Sequence, residues 1–169
     1  MRLMFDDIGP VTKTGVPNES EQALEDADYQ AQADFRYALR RFLRGAEENA
    51  RAAGVTPQQH LLLLAVRGHP AYPEVNITDL AERLQVRHHS ASLLVDRAVN
   101  RKPLPLLRRQ QDPVDRRRAL VSLSPEGQRV LDEITSANRQ ELPTLERSLS
   151  RLRTSMARAT HEHGRIFLS

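Results

Sequence analysis

Apolar positions along this chain change rhythm several times, and each change marks an element. From about Glu21 to Ala52 they recur at three and four residues (Leu24, Ala27, Ala31, Phe35, Ala38, Leu39, Phe42), which predicts a long helix with one apolar face. Gly54 ends it. Thr56-Pro57-Gln58-Gln59 then starts a second helix, with a capping box and proline in the first position. Residues 61–66, LLLLAV, are apolar almost all round, which predicts a central helix stopped by Gly68 and Pro70. Near the C-terminus, Val130, Leu131 and Ile134 line a helix begun at Pro125, and Leu142-Pro143 marks a break. Beyond the break, Leu145, Leu149, Leu152, Met156 and Ala159 alternate four and three apart, a narrow coiled-coil-like seam.

Between these helices, residues 76–127 follow a different plan. Asn76 caps a short helix, with Asp79 three residues on reaching back to a free backbone N–H and Val75 and Leu80 as a hydrophobic staple; Thr78 is an equally usable cap. Leu80, Ala81 and Leu84 share its buried face. Gln85-Val86-Arg87 is too short for a loop and predicts a sharp turn with Val86 plugging the angle between helices. The next helix, from about His88 to Val99, buries Ala91, Leu94, Val95 and Ala98. By subtraction His88, His89, Ser90, Ser92, Leu93, Asp96 and Arg97 lie outside or at the margin. Leu104, Leu106 and Leu107 predict one strand, and Ala119, Val121 and Leu123 alternate inward along another. The connecting QQDPVDRRR turns at Asp112-Pro113, and Asp115 is placed to hold one neighbouring guanidinium in a bidentate pair, orienting the loop. Ser124-Pro125 supplies the N-cap and first residue of the following helix.

Helix, tight turn, helix, then two strands joined by an arginine-tipped loop is the order of a winged helix-turn-helix. The predicted fold is mainly α with a small β-wing: a tail or arm at 1–20, an N-terminal helix at 21–54, the winged head at 55–124 and C-terminal helices at 125–169. The first segment, with Gly9-Pro10, Gly15 and Pro17, reads either as a mobile tail or as an arm anchored on a partner by Leu3, Met4, Phe5 and Ile8.

Charge sharpens this picture more than composition does. Of 25 basic residues only Lys13 and Lys102 are lysine, and arginine is the better bidentate partner for phosphate and guanine. Residues 1–31 hold seven acids and two bases; residues 77–124 hold ten bases and five acids, so the positive excess sits on the head. A chain of 169 residues with 39% hydrophobic and 4% aromatic content has a lean core, of the kind a partner subunit completes. The absence of cysteine excludes disulfides, thiolate metal sites and thiol redox switching. With no signal peptide and no membrane-length apolar run, the expectation is a cytoplasmic protein.

Small side chains at the start of the second head helix let its axis approach base edges, where His88, His89, Ser90 and Ser92 donate or accept. Arg116 and Arg117, on a thin loop, suit the narrow, negative minor groove and its phosphates. Arg87 at the turn is placed for phosphate or solvent. Metal is not expected: His88 and His89 are neighbours pointing apart on a helix, and His161-x-His163 fits a solvated helix end. No GxGxxG, GxxxxGK, HExxH or GxSxG occurs, so no enzyme and no cofactor are expected.

Asp115-Arg116-Arg117, five residues, then Leu123-Ser124-Pro125-Glu126-Gly127 resembles the D-x-R-x5-L-[ST]-x-x-G wing signature of MarR-type transcriptional regulators, and residues 80–97 look like that family's reading helices. The similarity extends over roughly residues 23–165. Residues 99–107 depart from it: the family's glycine is missing, and Pro103 and Pro105 interrupt the expected first wing strand. The segment GHPAYPEVNI before the first reading helix is also longer than usual. The resemblance implies a homodimeric repressor on a pseudo-palindromic operator, released by a small effector. It implies that Arg97 serves the DNA backbone or the family's Asp–Arg pairing. It also places an effector pocket between dimer helices and head, where Tyr37, Arg40, His60 and Tyr72 are the candidate polar groups. The terminal helices then pair with their two-fold mates rather than only with each other. The competing reading is a winged helix that grips an acidic protein partner.

Overall fold

The computed structural model describes residues 26–161, with backbone only at 158–161. The elements run α1 (Asp26–Ala52), α2 (Pro57–Arg67), β1 (Val75–Asn76), α3 (Ile77–Arg83), α4 (His88–Val99), β2 (Leu107–Gln111), β3 (Ala119–Leu123), α5 (Pro125–Asn138) and α6 (Leu142–His161). The expectations for residues 1–20, Leu24 and His163, and for the side chains of Ala159 and His161, lie outside the described residues.

The head closes around one core. Leu62, Leu63 and Val66 of α2, Leu80 of α3, Val95 of α4, Val121 of β3 and Val130 and Ile134 of α5 meet there with almost no exposed surface. The start of α2 is a full capping box: the Gln59 N–H donates to Thr56 Oγ1 at 3.1 Å and the Thr56 N–H to Gln59 Oε1 at 2.9 Å. The helix is not apolar-buried all round, however. Leu61 and Leu64, three residues apart and so on one face of α2, stand 53% and 46% exposed, while Leu62, Leu63 and Val66 are fully buried.

Asn76 caps α3, its Oδ1 accepting the Asp79 N–H at 2.9 Å. The Asp79 carboxylate returns to the Asn76 side-chain amide, at 2.7 Å, not to a backbone N–H as expected. Val75-Asn76 is a strand that the sequence pattern did not suggest. It pairs antiparallel with β3 (Val75 opposite Val121), giving a three-stranded sheet in the order β1-β3-β2. The α3–α4 turn places Gln85 at φ 55°, in the left-handed region, and closes through the Val86 N–H to Ala81 O at 3.0 Å. Val86 does not plug the interhelical angle. It is 38% exposed, while half-buried Leu84 packs against the core.

The first wing strand starts later than Leu104, which is 52% exposed. The Leu106 N–H is spent on Ala98 O at 2.9 Å, and β2 runs from Leu107 through Gln111, so that Gln110 and Gln111, expected in the connecting loop, belong to the strand. Pro103 and Pro105 therefore stand outside the ladder, as residues without an N–H must. Ser124 locks the base of the wing. Its Oγ donates to Pro105 O (2.6 Å) and accepts the Gly127 N–H (2.9 Å), while its own N–H meets Leu106 O (3.0 Å). A Cβ built on Gly127 would lie 2.0 Å from Leu106 O, so only glycine lets α5 approach this closely.

α1 and α6 lie against each other, Ala38 buried and Phe35, Leu39 and Phe42 half-buried on the shared side. Leu145, Ser148, Leu152 and Ser155 form the half-buried face of α6, and Ser155 hydrogen-bonds Asp28. Leu149 and Met156, expected in the same seam, stand 51% and 64% exposed. No described helix is long and apolar enough to cross a membrane.

Candidate nucleic-acid interface

α4 is held by Ala91, Val95 and Ala98, all fully buried, so its opposite face must turn outward. His88, His89, Ser90, Leu93 and Arg97 are exposed, and Ser92 is half-buried at the edge. No side chain caps the helix at Arg87, itself exposed, which leaves the first-turn N–H groups of α4 without a side-chain partner from the cap residue.

The wing loop is built by its aspartates. Asp112 Oδ1 accepts the Val114 N–H at 2.8 Å and the Asp115 N–H at 3.2 Å, turning the chain. Asp115 does not form the expected bidentate pair. One oxygen accepts the Arg117 N–H at 3.0 Å, and the other sits 3.4 Å from Arg118 Nε. Gln111 Nε2 donates to Arg116 O at 2.7 Å, and the Asp112 N–H to Arg118 O at 3.1 Å. The loop backbone is thus tied down while the side chains of Arg116 and Arg117 are exposed. Val114 forms the tip, 94% exposed.

Helix and wing are joined by an ion pair that sequence reasoning missed. Arg109 Nη1 meets Asp96 Oδ1 at 2.6 Å. Arg109 follows Leu107 by two along β2 and so shares its face, the side that packs on α4. With the strand placed at 104–107 that parity was hidden. Arg97, the residue expected to serve DNA backbone or an Asp–Arg pair, is exposed, and the pair falls to Arg109.

A cleft of about 310 Å³ lies between the two units, lined by Asn76, Thr78 and Asp79 of the α3 start, His88 of α4, and Arg109, Arg117 and Arg118 of the wing. Of its three guanidiniums, Arg109 is paired with Asp96 and Arg118 with Asp115, and the exposed Arg117 adds its charge to the rim. His88 and Arg117 share its walls, so α4 begins on the same side of the head as the wing.

The four effector candidates do not form one group. Arg40 borders a cleft of about 340 Å³ between α1 and α6, with Phe35, Leu39, Leu43 and Leu152. Tyr37, on the same helix, is 70% exposed and does not line it. His60 is buried in the head, where burial lowers its pKa below the ordinary imidazole value. Tyr72 stacks under the Arg67 guanidinium, 4.4 Å from ring centre. On the far side of the wing base, Arg129 hydrogen-bonds Glu126 and Glu133, and the Arg129 contact holds the Glu126 carboxyl below its usual range.

A helix pair presenting an uncapped second helix, with a β-hairpin wing beside it, defines a winged helix-turn-helix protein. Residues 53–118, which carry the head from α2 to the wing, match the model of the MarR family. No curated protein matches in sequence. Among solved structures, wild-type MarR from E. coli superposes with a TM-score of 0.56 at 15% identity, covering 88% of this chain and 100% of that one. A mutant of S. aureus MepR bound to an oligodeoxyribonucleotide gives 0.56 at 22% identity, covering 83% and 98%. Bordetella bronchiseptica BpsR, whose DNA binding is regulated by 6-hydroxynicotinic acid, gives 0.52 at 23% identity, covering 69% and 83%. At these identities the likeness is one of fold.

Proposed function

We propose that this protein is a sequence-specific regulator that binds double-stranded DNA as a homodimer and represses transcription from a pseudo-palindromic operator. The observation that carries the reading is the shared cleft: His88 at the head of α4 and Arg117 on the wing stand on one side of the molecule. A duplex lying there receives α4 in a major groove and the wing in the neighbouring minor groove. In that pose His89, Ser90 and Ser92 meet base edges, Arg87 and Arg97 meet phosphates, and Arg116 and Arg117 enter the minor groove. The MepR mutant, which has the same fold, is bound to an oligodeoxyribonucleotide, and this supports a DNA-binding role.

The homodimer is supported by what α1 and α6 leave exposed. Tyr29, Tyr37 and Leu43 of α1 and Leu149 of α6 are at least half exposed, and a two-fold mate would bury them. Control by a small effector is part of the reading, supported by BpsR, with the α1–α6 cleft at Arg40 as the place to look.

Duplex binding titrated against salt tests the DNA role. Log K should fall steeply and linearly with log salt, and Arg117→Ala should reduce the slope by about 1 per lost phosphate contact per subunit. Absence of binding to a random duplex pool at low salt would contradict the reading and favour a winged helix that grips an acidic protein.

A further inference from the structure

The outer line of α4 carries one residue that hydrogen bonding cannot explain. Leu93 lies one turn after His89, on the side of the helix opposite the buried Ala91–Val95–Ala98 stripe, and is 42% exposed. Its neighbour Leu94 packs against the core, so the fold has no use for a second leucine here. Exposed single leucines are common, and exposure alone argues nothing. The position is what matters: His89, Ser92 and Asp96 surround Leu93 on the face that the DNA-binding reading turns toward base edges.

Leucine neither donates nor accepts a hydrogen bond. The major-groove edges offer one methyl group, at C5 of thymine; cytosine presents only a C–H there, and the remaining recognition groups are donors or acceptors. The small side chains of Ser90 and Ser92 let the helix come close enough for van der Waals contact. We infer that Leu93 is a specificity-determining residue that reads a thymine methyl in each half-site. The inference rests on the DNA-binding role proposed above. It goes beyond that role by naming the base and the atom recognised.

Deoxyuridine, which pairs as thymidine does but lacks the methyl, is the probe. Duplexes are selected from a random pool with the full chain, and each thymine of the preferred site is replaced singly by deoxyuridine. Fluorescence anisotropy then compares the wild type with Leu93→Ala. The wild type should lose about fourfold in affinity at one thymine per half-site, the worth of one buried methyl. Leu93→Ala should bind thymine and uracil duplexes equally at that position while still responding at any other methyl. Duplex binding without methyl discrimination, discrimination that survives Leu93→Ala at every position, or a selected site with no thymine in either half would overturn the role of Leu93 alone. Failure to select any duplex would overturn it together with the DNA-binding reading.

Discussion

Gly127 closes the wing because nothing larger than hydrogen fits between α5 and the Leu106 carbonyl. Gly127→Ala should therefore force the backbone apart and cost on the order of 3 kcal/mol, at the upper end for overpacking. Urea denaturation reads this directly, and an unchanged midpoint would mean that the Ser124–Leu106–Gly127 junction is not rigid. His60 gives a second residue-scale prediction. Burial disfavours its imidazolium, so the unfolded chain takes up the proton first as pH falls. The folded state then binds fewer protons: stability is full above the ordinary histidine range and drops as pH falls through about 6.5. Tm should decline between pH 7 and pH 5.5, and His60→Gln should flatten that decline. An unchanged slope in His60→Gln would place the titration on other groups.

Among the elements, the helices were largely legible and the wing less so. Thr56-Pro57-Gln58-Gln59 and Ser124-Pro125 announce helix starts by local hydrogen bonding that needs no tertiary partner, and both caps form. The α4 stripe was readable because a 3.6-residue period reports burial within one segment. The first wing strand was not, since Leu104-Pro105-Leu106-Leu107 looks uniformly apolar and only the ladder to β3 says which residues pair. That register error concealed Arg109 and its pair with Asp96. Val86 failed for a related reason: local patterning marks it as apolar but cannot say that the left-handed Gln85 swings it outward. Leu61 and Leu64 also show the limit, because an all-apolar run does not tell which sides a helix will find covered. α6 carries a prediction of its own. If its outer face pairs with a two-fold mate, Leu149→Glu should shift the protein toward monomer in analytical ultracentrifugation while its helical circular dichroism is retained. A sedimentation profile identical to that of the wild type would move the interface elsewhere.

At the scale of the whole molecule, the proposed function needs a head that presents α4 and the wing to one duplex together. The buried stripe of α4 fixes its outward face, the aspartates of the wing fix the loop, and the Asp96–Arg109 pair fixes one relative to the other. In the proposed homodimer, α1 and α6 would set the distance between two such heads. Selection of bound duplexes from a random pool with the intact protein, followed by sequencing, tests this arrangement most directly. The enriched sites should be inverted repeats with half-site centres about 10 to 11 base pairs apart. Enrichment of a single asymmetric site, or of no duplex at all, would contradict it.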